Sequence, residues 1–223
     1  VNCKQGMTTM LKATIVYDNT SIRSDLLADW GFSCLIETER KTILFDTGAN
    51  GKILMANMKA LHIDPKTIDE VFISHNHFDH TGGLSAFLNA NPNVTVYVPK
   101  DLRGIRQAKE VVYIDQAQAL SDGFYSTGVL DNIEQSLAVQ TNKGLVLFVG
   151  CSHPAMDKIL NAARQFGTLH GIIGGLHGFD QYELFRNLQL ICPTHCTQHK
   201  AGLTRLYADK IVPGGAGTVI EID

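Results

Sequence analysis

Residues 71–83 read Val71-Phe72-Ile73-Ser74-His75-Asn76-His77-Phe78-Asp79-His80-Thr81-Gly82-Gly83, and the reading of this stretch governs that of the whole chain. Val71-Phe72-Ile73 is a short run of strand-forming apolar residues that stops where the ligand-type side chains begin. His75 and His77 stand two apart, so an extended backbone points both imidazoles to one side, where a single metal ion can take both. Asp79 and His80 follow after a bend. They offer the mixed oxygen and nitrogen donors that zinc, iron or manganese accept, so a second ion fits beside the first. A lone histidine is more often a surface or core residue, but four potential ligands within six residues at a strand end form a specific pattern. Gly82-Gly83 then allows a tight turn into the next helix without a Cβ crowding the metals.

Upstream, Leu11 to Tyr17, Phe32 to Glu37 and Thr42 to Phe45 are rich in β-branched and aromatic residues and bounded by turn formers, so they read as strands. Asn50 to His62 places Ile53, Leu54, Met58 and Leu61 near helical spacing. Downstream, Leu84 to Leu88 reads as a short helix, and Val94 to Val98 and Val111 to Ile114 as strands. Ser136 to Thr141 and Leu145 to Val149, joined by Asn142-Lys143-Gly144, predict a hairpin whose exit delivers Cys151 and His153. A helix is expected over Pro154 to Phe166 with proline in its first turn, then a strand at Gly171 to Ile173, then helices over Tyr182 to Leu188 and Ala201 to Ala208. No repeat, low-complexity tract or Pro/Ser-rich linker divides the sequence. The expectation is one two-layered or four-layered α/β domain over residues 1–223, with 1–10 a peripheral N-terminal segment.

Composition narrows the function. At 44% hydrophobic and 18% charged residues, with 20 glycines in 223, the chain reads as an ordinary packed protein. Its longest relevant apolar run, Leu145 to Val149, is far too short for a membrane span, and Val1 to Met10 lacks the charge and apolar pattern of a secretion signal. Five cysteines, at 3, 34, 151, 192 and 196, make an odd set without a compact framework, which favours reduced thiols and a cytoplasmic setting. A formal charge of −3 without a dense basic run disfavours nucleic acid as a partner and leaves a small-molecule substrate as the expectation.

The 71–83 segment together with Phe45-Asp46-Thr47-Gly48 resembles the metallo-β-lactamase superfamily. Four further segments are similar to the branch that includes the archaeal dihydropterin-ribofuranosylaminobenzene-phosphate synthase: Glu134-Gln135-Ser136-Leu137, Gly150-Cys151-Ser152-His153-Pro154, Gly174-Gly175-Leu176-His177 and Pro193-Thr194-His195-Cys196-Thr197. The resemblance runs from about Leu11 to the C-terminus. It implies a four-layered αββα sandwich with two divalent metal ions at one edge of the sheets, zinc first and iron or manganese as alternatives. It further implies that His75 and His77 hold the first metal, and that Asp79 and His80 hold the second, completed by His195.

Most members of the superfamily supply another histidine between these motifs. None occurs here between His80 and His153, which makes His153 the expected third ligand of the first metal. The usual bridging aspartate falls near Cys151, whose thiolate either ligates or fills space. His177, at a Gly-Gly-Leu-His strand exit, is open to three roles: proton donor, substrate contact or ligand. Asp46 is expected to accept a hydrogen bond that orients a ligand imidazole, the alternative being a turn-forming aspartate. Cys192 and Cys196 read as core or as neighbours of a ligand, and His62, His170 and His199 as surface residues.

Hydroxide held between two metals would serve as nucleophile, because metal binding lowers the pKa of water from about 16 toward neutrality. Hydrolysis or transfer at a phosphate-type or related ester, which makes the small-molecule substrate anionic, is the leading reading, with Asp79 and His177 in catalytic positions. A thioesterase or lactonase would use the same chemistry on a carbonyl, and a non-catalytic, metal-stabilised binding module is the rival of another class. Di-iron redox proteins of this fold usually place glutamate at the middle ligand position, where His77 stands, which disfavours redox catalysis.

Overall fold

The computed structural model describes residues 10–223, so the segment expected to be peripheral lies outside the described residues except for Met10. Among the described residues thirteen strands form two sheets. The first contains β1 (Leu11–Tyr17), β2 (Ser33–Thr38), β3 (Thr42–Phe45), β4 (Glu70–Phe72), β5 (Thr95–Pro99), β6 (Glu110–Ile114) and β13 (Val219–Ile222), in the order β13-β1-β2-β3-β4-β5-β6. The second contains β7 (Gln116–Ser121), β8 (Phe124–Gly128), β9 (Leu137–Thr141), β10 (Gly144–Val149), β11 (Leu169–Gly175) and β12 (Leu190–Thr194), in the order β12-β11-β10-β9-β8-β7.

Each sheet is mixed, and the parallel part of each is what builds the site. β3, β4, β5 and β6 pair in parallel, as do β10, β11 and β12. Parallel neighbours need crossovers, and α-helices supply three of the five: α1 (Gly51–Ala60) after β3, α2 (Phe78–Thr81) and α3 (Leu84–Ala90) after β4, and α4 (Met156–Arg164) after β10; a loop joins β5 to β6, and a segment with one 3₁₀ turn joins β11 to β12. A fifth helix, α5 (Lys200–Leu206), follows β12. Asp46, His75, Cys151, His177 and His195 therefore all sit just beyond the carboxyl ends of parallel strands.

Three apolar clusters account for four layers. Between the sheets lie alternate strand residues such as Ile15, Ile36, Phe45, Phe72, Phe148 and Ile173, with the Phe45 and Phe72 rings stacked at 5.6 Å. On the outer face of the first sheet, Leu54 and Met58 of α1 and Leu84, Phe87 and Leu88 of α3 cover Leu44, Val71 and Val96. Ile159, Leu160 and Ala163 of α4 and Leu203 of α5 cover Leu147, Val149 and Ile172 of the second. Central strands buried on both faces read as continuous apolar runs, which is why Val71-Phe72-Ile73 and Leu145 to Val149 are legible as strands. The αββα sandwich expected from the resemblance is thus the fold observed.

Several elements differ from the reading of the sequence. Tyr182 to Leu188 does not form an α-helix; only a 3₁₀ turn at Tyr182–Phe185 is present. Pro154 lies ahead of α4, which begins at Met156 after Ala155. The strands β7, β8, β12 and β13 are not among those expected from the sequence; β7 is a largely exposed edge strand whose Gln-Ala alternation carries little apolar signal. Among the described residues no helix is long and apolar enough to cross a membrane.

Candidate metal centre

Two groups of ligand-type side chains meet where the parallel strands end. His75, His77 and His153 form one; Asp79, His80, Cys151 and His195 form the other, and within each group the candidate donor atoms lie within 4.8 Å of one another. His75 Nε2 is 3.0 Å from His77 Nδ1 and 3.2 Å from His153 Nε2. His80 Nε2 is 3.2 Å from Cys151 Sγ, and Asp79 Oδ2 is 3.2 Å from His195 Nε2. The His75 and His80 rings, 4.2 Å apart, join the two groups.

For His75, His80 and His195, partners on the far side of the ring fix which nitrogen faces inward. Asp46, fully buried, takes the backbone N–H of Ser74 on Oδ1 and the Ser74 hydroxyl on Oδ2, both at 2.7 Å. With its hydrogen directed to Asp46, Ser74 Oγ accepts from His75 Nδ1 at 2.9 Å, which leaves the Nε2 lone pair of His75 pointing at the cluster. His80 Nδ1 also donates to Asp46 Oδ2, at 2.7 Å. His195 Nδ1 donates to Asn19 Oδ1 at 2.9 Å, and Asn19 is held in that orientation because its amide nitrogen donates to the His195 carbonyl. His195 Nε2 is left buried without a hydrogen-bond partner. A buried lone pair that faces a carboxylate oxygen at 3.2 Å without a hydrogen bond between them, among other inward-facing nitrogens, fits a cation.

Electrostatics agree. Burial, and then the crowd of imidazoles around it, holds His75 far below the usual histidine range, so it stays neutral and able to ligate. Burial disfavours a charged His80, but Asp46 and the carboxylates of Asp79 and Glu134 outweigh it and raise its pKa: this pocket favours positive charge. Burial likewise opposes ionisation of Asp79, yet the contact with His195 and the proximity of His80 keep its pKa below the ordinary carboxylate value.

Glu134, which the sequence left without a role, organises the Cys151 and His153 loop. Its Oε1 accepts the backbone N–H groups of Gly150, Cys151 and Ser152 at 2.9 to 3.1 Å, and its Oε2 that of His153 at 2.8 Å. The polar run Glu134-Gln135-Ser136, buried directly ahead of an apolar strand, is the signal that marks it. Asp18 and Asn19 do the same for His195, with Asp18 Oδ1 accepting its backbone N–H at 2.7 Å. Asp46, Ser152, His177 and His195 all adopt positive φ, between 43° and 58°, backbone conformations that non-glycine residues reach only when their surroundings hold them there.

His177 joins neither cluster. It is exposed, with its ring 5.4 Å from that of His153. Cys192 is a core residue between the sheets, and Cys196 lies beside Cys151, its thiol 3.8 Å from the Cys151 carbonyl oxygen. His62 and His199 are exposed and His170 is half-buried; none of the three joins either cluster.

The family model for the metallo-beta-lactamase superfamily matches residues 31–154. A 7,8-dihydropterin-6-methyl-4-(beta-D-ribofuranosyl)-aminobenzene-5'-phosphate synthase of Methanocaldococcus jannaschii is 27% identical over an alignment of 278 positions, covering 89% of this chain and 95% of that protein. An uncharacterized protein of the same organism is 26% identical, with 93% and 99% covered. Among solved structures, Tm1679, a metal-dependent hydrolase of the beta-lactamase superfamily, superimposes with a TM-score of 0.76 at 22% identity over 96% of this chain and 99% of its own. A diphosphatase of the PhnP family does so at 0.67 and 14%, with 97% and 98% covered, and both likenesses are of fold. The match over more than half of its length takes in six of the seven clustered side chains, and this chain belongs to the metallo-beta-lactamase superfamily.

Proposed function

We propose that this protein is a dinuclear metal-dependent hydrolase or transferase acting on a phosphate-type or related ester. The observation that carries the reading is the set of buried imidazole nitrogens, His75 Nε2 and the unpartnered His195 Nε2 foremost, directed inward by partners on their opposite nitrogens. His75, His77 and His153 would hold one divalent cation, and Asp79, His80, Cys151 and His195 the other. Zinc suits a set that mixes imidazole, carboxylate and thiolate. When bound, such a pair of cations activates water near neutral pH and polarises a phosphoryl or carbonyl oxygen.

The chain's own groups do the rest. Asp79, kept ionised, accepts a hydrogen bond from the attacking water and orients it. His177, exposed beside His153, donates a proton to the leaving group. His77 is exposed and His153 half-buried, so the first cluster opens to solvent and leaves room for a substrate anion. A purely structural site would be closed, and this openness favours catalysis over a binding module. The synthase relative, whose name carries a 5'-phosphate, supports a phosphate-bearing substrate. Its alignment is longer than the 223 residues of this chain, so it has inserted stretches absent here and its reaction does not transfer whole.

Elemental analysis and a panel of phosphoesters, thioesters and lactones test this reading. We expect close to two metal equivalents and turnover of at least one phosphoester. His77→Ala should lose metal and turnover together, whereas His177→Ala should keep its metal and lose turnover. A metal-replete protein inert on the whole panel would refute the hydrolase reading, and turnover confined to thioesters or lactones would move it to carbonyl chemistry.

A further inference from the structure

The only tryptophan of the chain stands at the metal centre, and nothing in the ligand scheme uses its ring. Trp30 Nε1 donates to Asp79 Oδ2 at 2.8 Å, and the indole meets the His195 ring at 5.0 Å with 61° between the planes. Even so, Trp30 is 52% exposed. A large apolar ring is ordinarily turned inward, and the 18–32 segment that carries this one is not loose. The buried Asn57 side chain takes Leu27 N–H on its oxygen and donates to the Leu27 carbonyl, each at 2.8 Å. Asp29 receives the Tyr17 hydroxyl on one oxygen and the Trp30 N–H on the other. Gly31 N–H is held by Asn19 Oδ1, the same oxygen that receives His195 Nδ1. Phe32 N–H reaches the Asp79 carbonyl at 3.2 Å, which seats this segment on the turn that bears the ligands.

Phe78, on that turn between His77 and Asp79, is 67% exposed. Of the three large aromatic rings exposed among the described residues, two therefore flank the metal centre, and the third, Tyr113, is covered by the Arg103 guanidinium. An open indole face held rigidly next to a polar, cation-favouring pocket offers stacking at little cost in side-chain ordering.

We infer that Trp30 is a specificity-determining residue: its exposed face receives a planar aromatic or heteroaromatic body of a substrate whose anionic head lies at the metal centre. The inference rests on the metal reading above but not on turnover. Its indole N–H has a separate task, orienting Asp79.

The test uses two pairs of inert ligands on zinc-loaded protein, phenylphosphonate against methylphosphonate and phenylacetate against acetate, read by titration calorimetry. We expect the aromatic member of at least one pair to bind about five-fold more tightly to the natural protein. Trp30→Ala should abolish that preference, and Trp30→Phe, which keeps a ring but loses the N–H, should retain most of it. Trp30 emission should also be quenched by the aromatic ligands, with no other tryptophan contributing. Equal affinity within both pairs, a preference that survives Trp30→Ala, or no binding of any of the four would overturn the inference. A preference shown only by the carboxylates would leave Trp30 in place and count against the phosphate reading, and a preference without any turnover would count against hydrolysis alone.

Discussion

The carboxylate of Asp46 and the imidazole of His80 are both fully buried, and Asp46 Oδ2 lies 2.7 Å from His80 Nδ1. One side chain thereby aims two candidate ligands, since the same carboxylate fixes Ser74 and, through its hydroxyl, His75. Asp46→Ala should lower metal affinity about 10- to 100-fold, the usual cost of removing such an outer partner. Competition with a coloured chelator measures it. Asp46→Asn should fall between, because an amide oxygen can accept from only part of the set. An unchanged affinity in Asp46→Ala would show that packing alone holds the rings.

Cys151 should show itself spectroscopically. Its Sγ sits 3.2 Å from His80 Nε2, and in the metal-free protein the contact with Cys196 and burial push its pKa well up, so only a directly bound cation would ionise it. Cobalt-loaded protein is expected to display a thiolate-to-metal charge-transfer band in the near ultraviolet that Cys151→Ser lacks. Persistence of the band in Cys151→Ser would move the thiolate to another residue, with neighbouring Cys196 first in line.

Removing Glu134 strands four backbone N–H groups in a buried loop. At about 1–3 kcal/mol for each unsatisfied donor, and with water entering to relieve some of them, Glu134→Ala should destabilise the metal-free fold by about 4 kcal/mol. Glu134→Gln turns an amide N–H toward that of His153 and should lose roughly half as much. Urea unfolding of metal-free protein resolves the two, and midpoints equal to that of the natural chain would show the loop to be held otherwise.

Metal-free stability should depend on pH in two windows. His75 has its pKa depressed by burial and by neighbouring imidazoles, so below the unfolded value of about 6.5 the unfolded chain binds a proton that the native state refuses. Stability then falls as pH drops, with a slope approaching about 1.4 kcal/mol per unit from this one group. His80 is shifted the other way, with burial outweighed by Asp46, so its contribution is full below the unfolded pKa and is lost as pH rises through its higher folded value. Thermal unfolding from pH 5 to 8 in chelator should therefore show a maximum near pH 6.5. A monotonic rise across that range would rule out the His80 part.

Gly83 is required by close approach rather than by an unusual dihedral. A Cβ there would lie 2.1 Å from the Thr47 carbonyl oxygen and 2.8 Å from Leu54 Cδ2. Gly83→Ala should force α2 and α3 off the Asp46 loop at a cost of about 2–3 kcal/mol and weaken the metal sites with it. Calorimetric melting together with metal content checks both effects.

Much of this was legible in the sequence because it is local. Val71-Phe72-Ile73 reads as a buried strand from its apolar run, and the spacing of His75 and His77 alone says that they face one way. Both follow from backbone geometry within a few residues. His153 and His195 were reachable through the motifs around them, and Asp46 through the need of a ligand imidazole for a partner. What was not legible is set by residues far apart in the chain. The strand at 116–121 alternates only Gln with Ala, neither a favoured strand former, the one at 124–128 runs out into Ser-Thr-Gly, and Tyr182 to Leu188 has helical spacing without the packing to extend beyond a single 3₁₀ turn.

By itself, then, the sequence determined the fold class, the ligand-rich turn after β4 and the chemical types of donor available. Tertiary structure alone decided that Cys151 joins Asp79, His80 and His195 while His177 stays outside, that Glu134 gathers four amides, and that Trp30 lies open beside the centre. The physical reason is that parallel strands from two sheets end along one edge and bring together side chains more than a hundred residues apart. Which lone pairs of His75, His80 and His195 then point inward depends on hydrogen bonds made behind those rings, and these are fixed only once the sheets have packed.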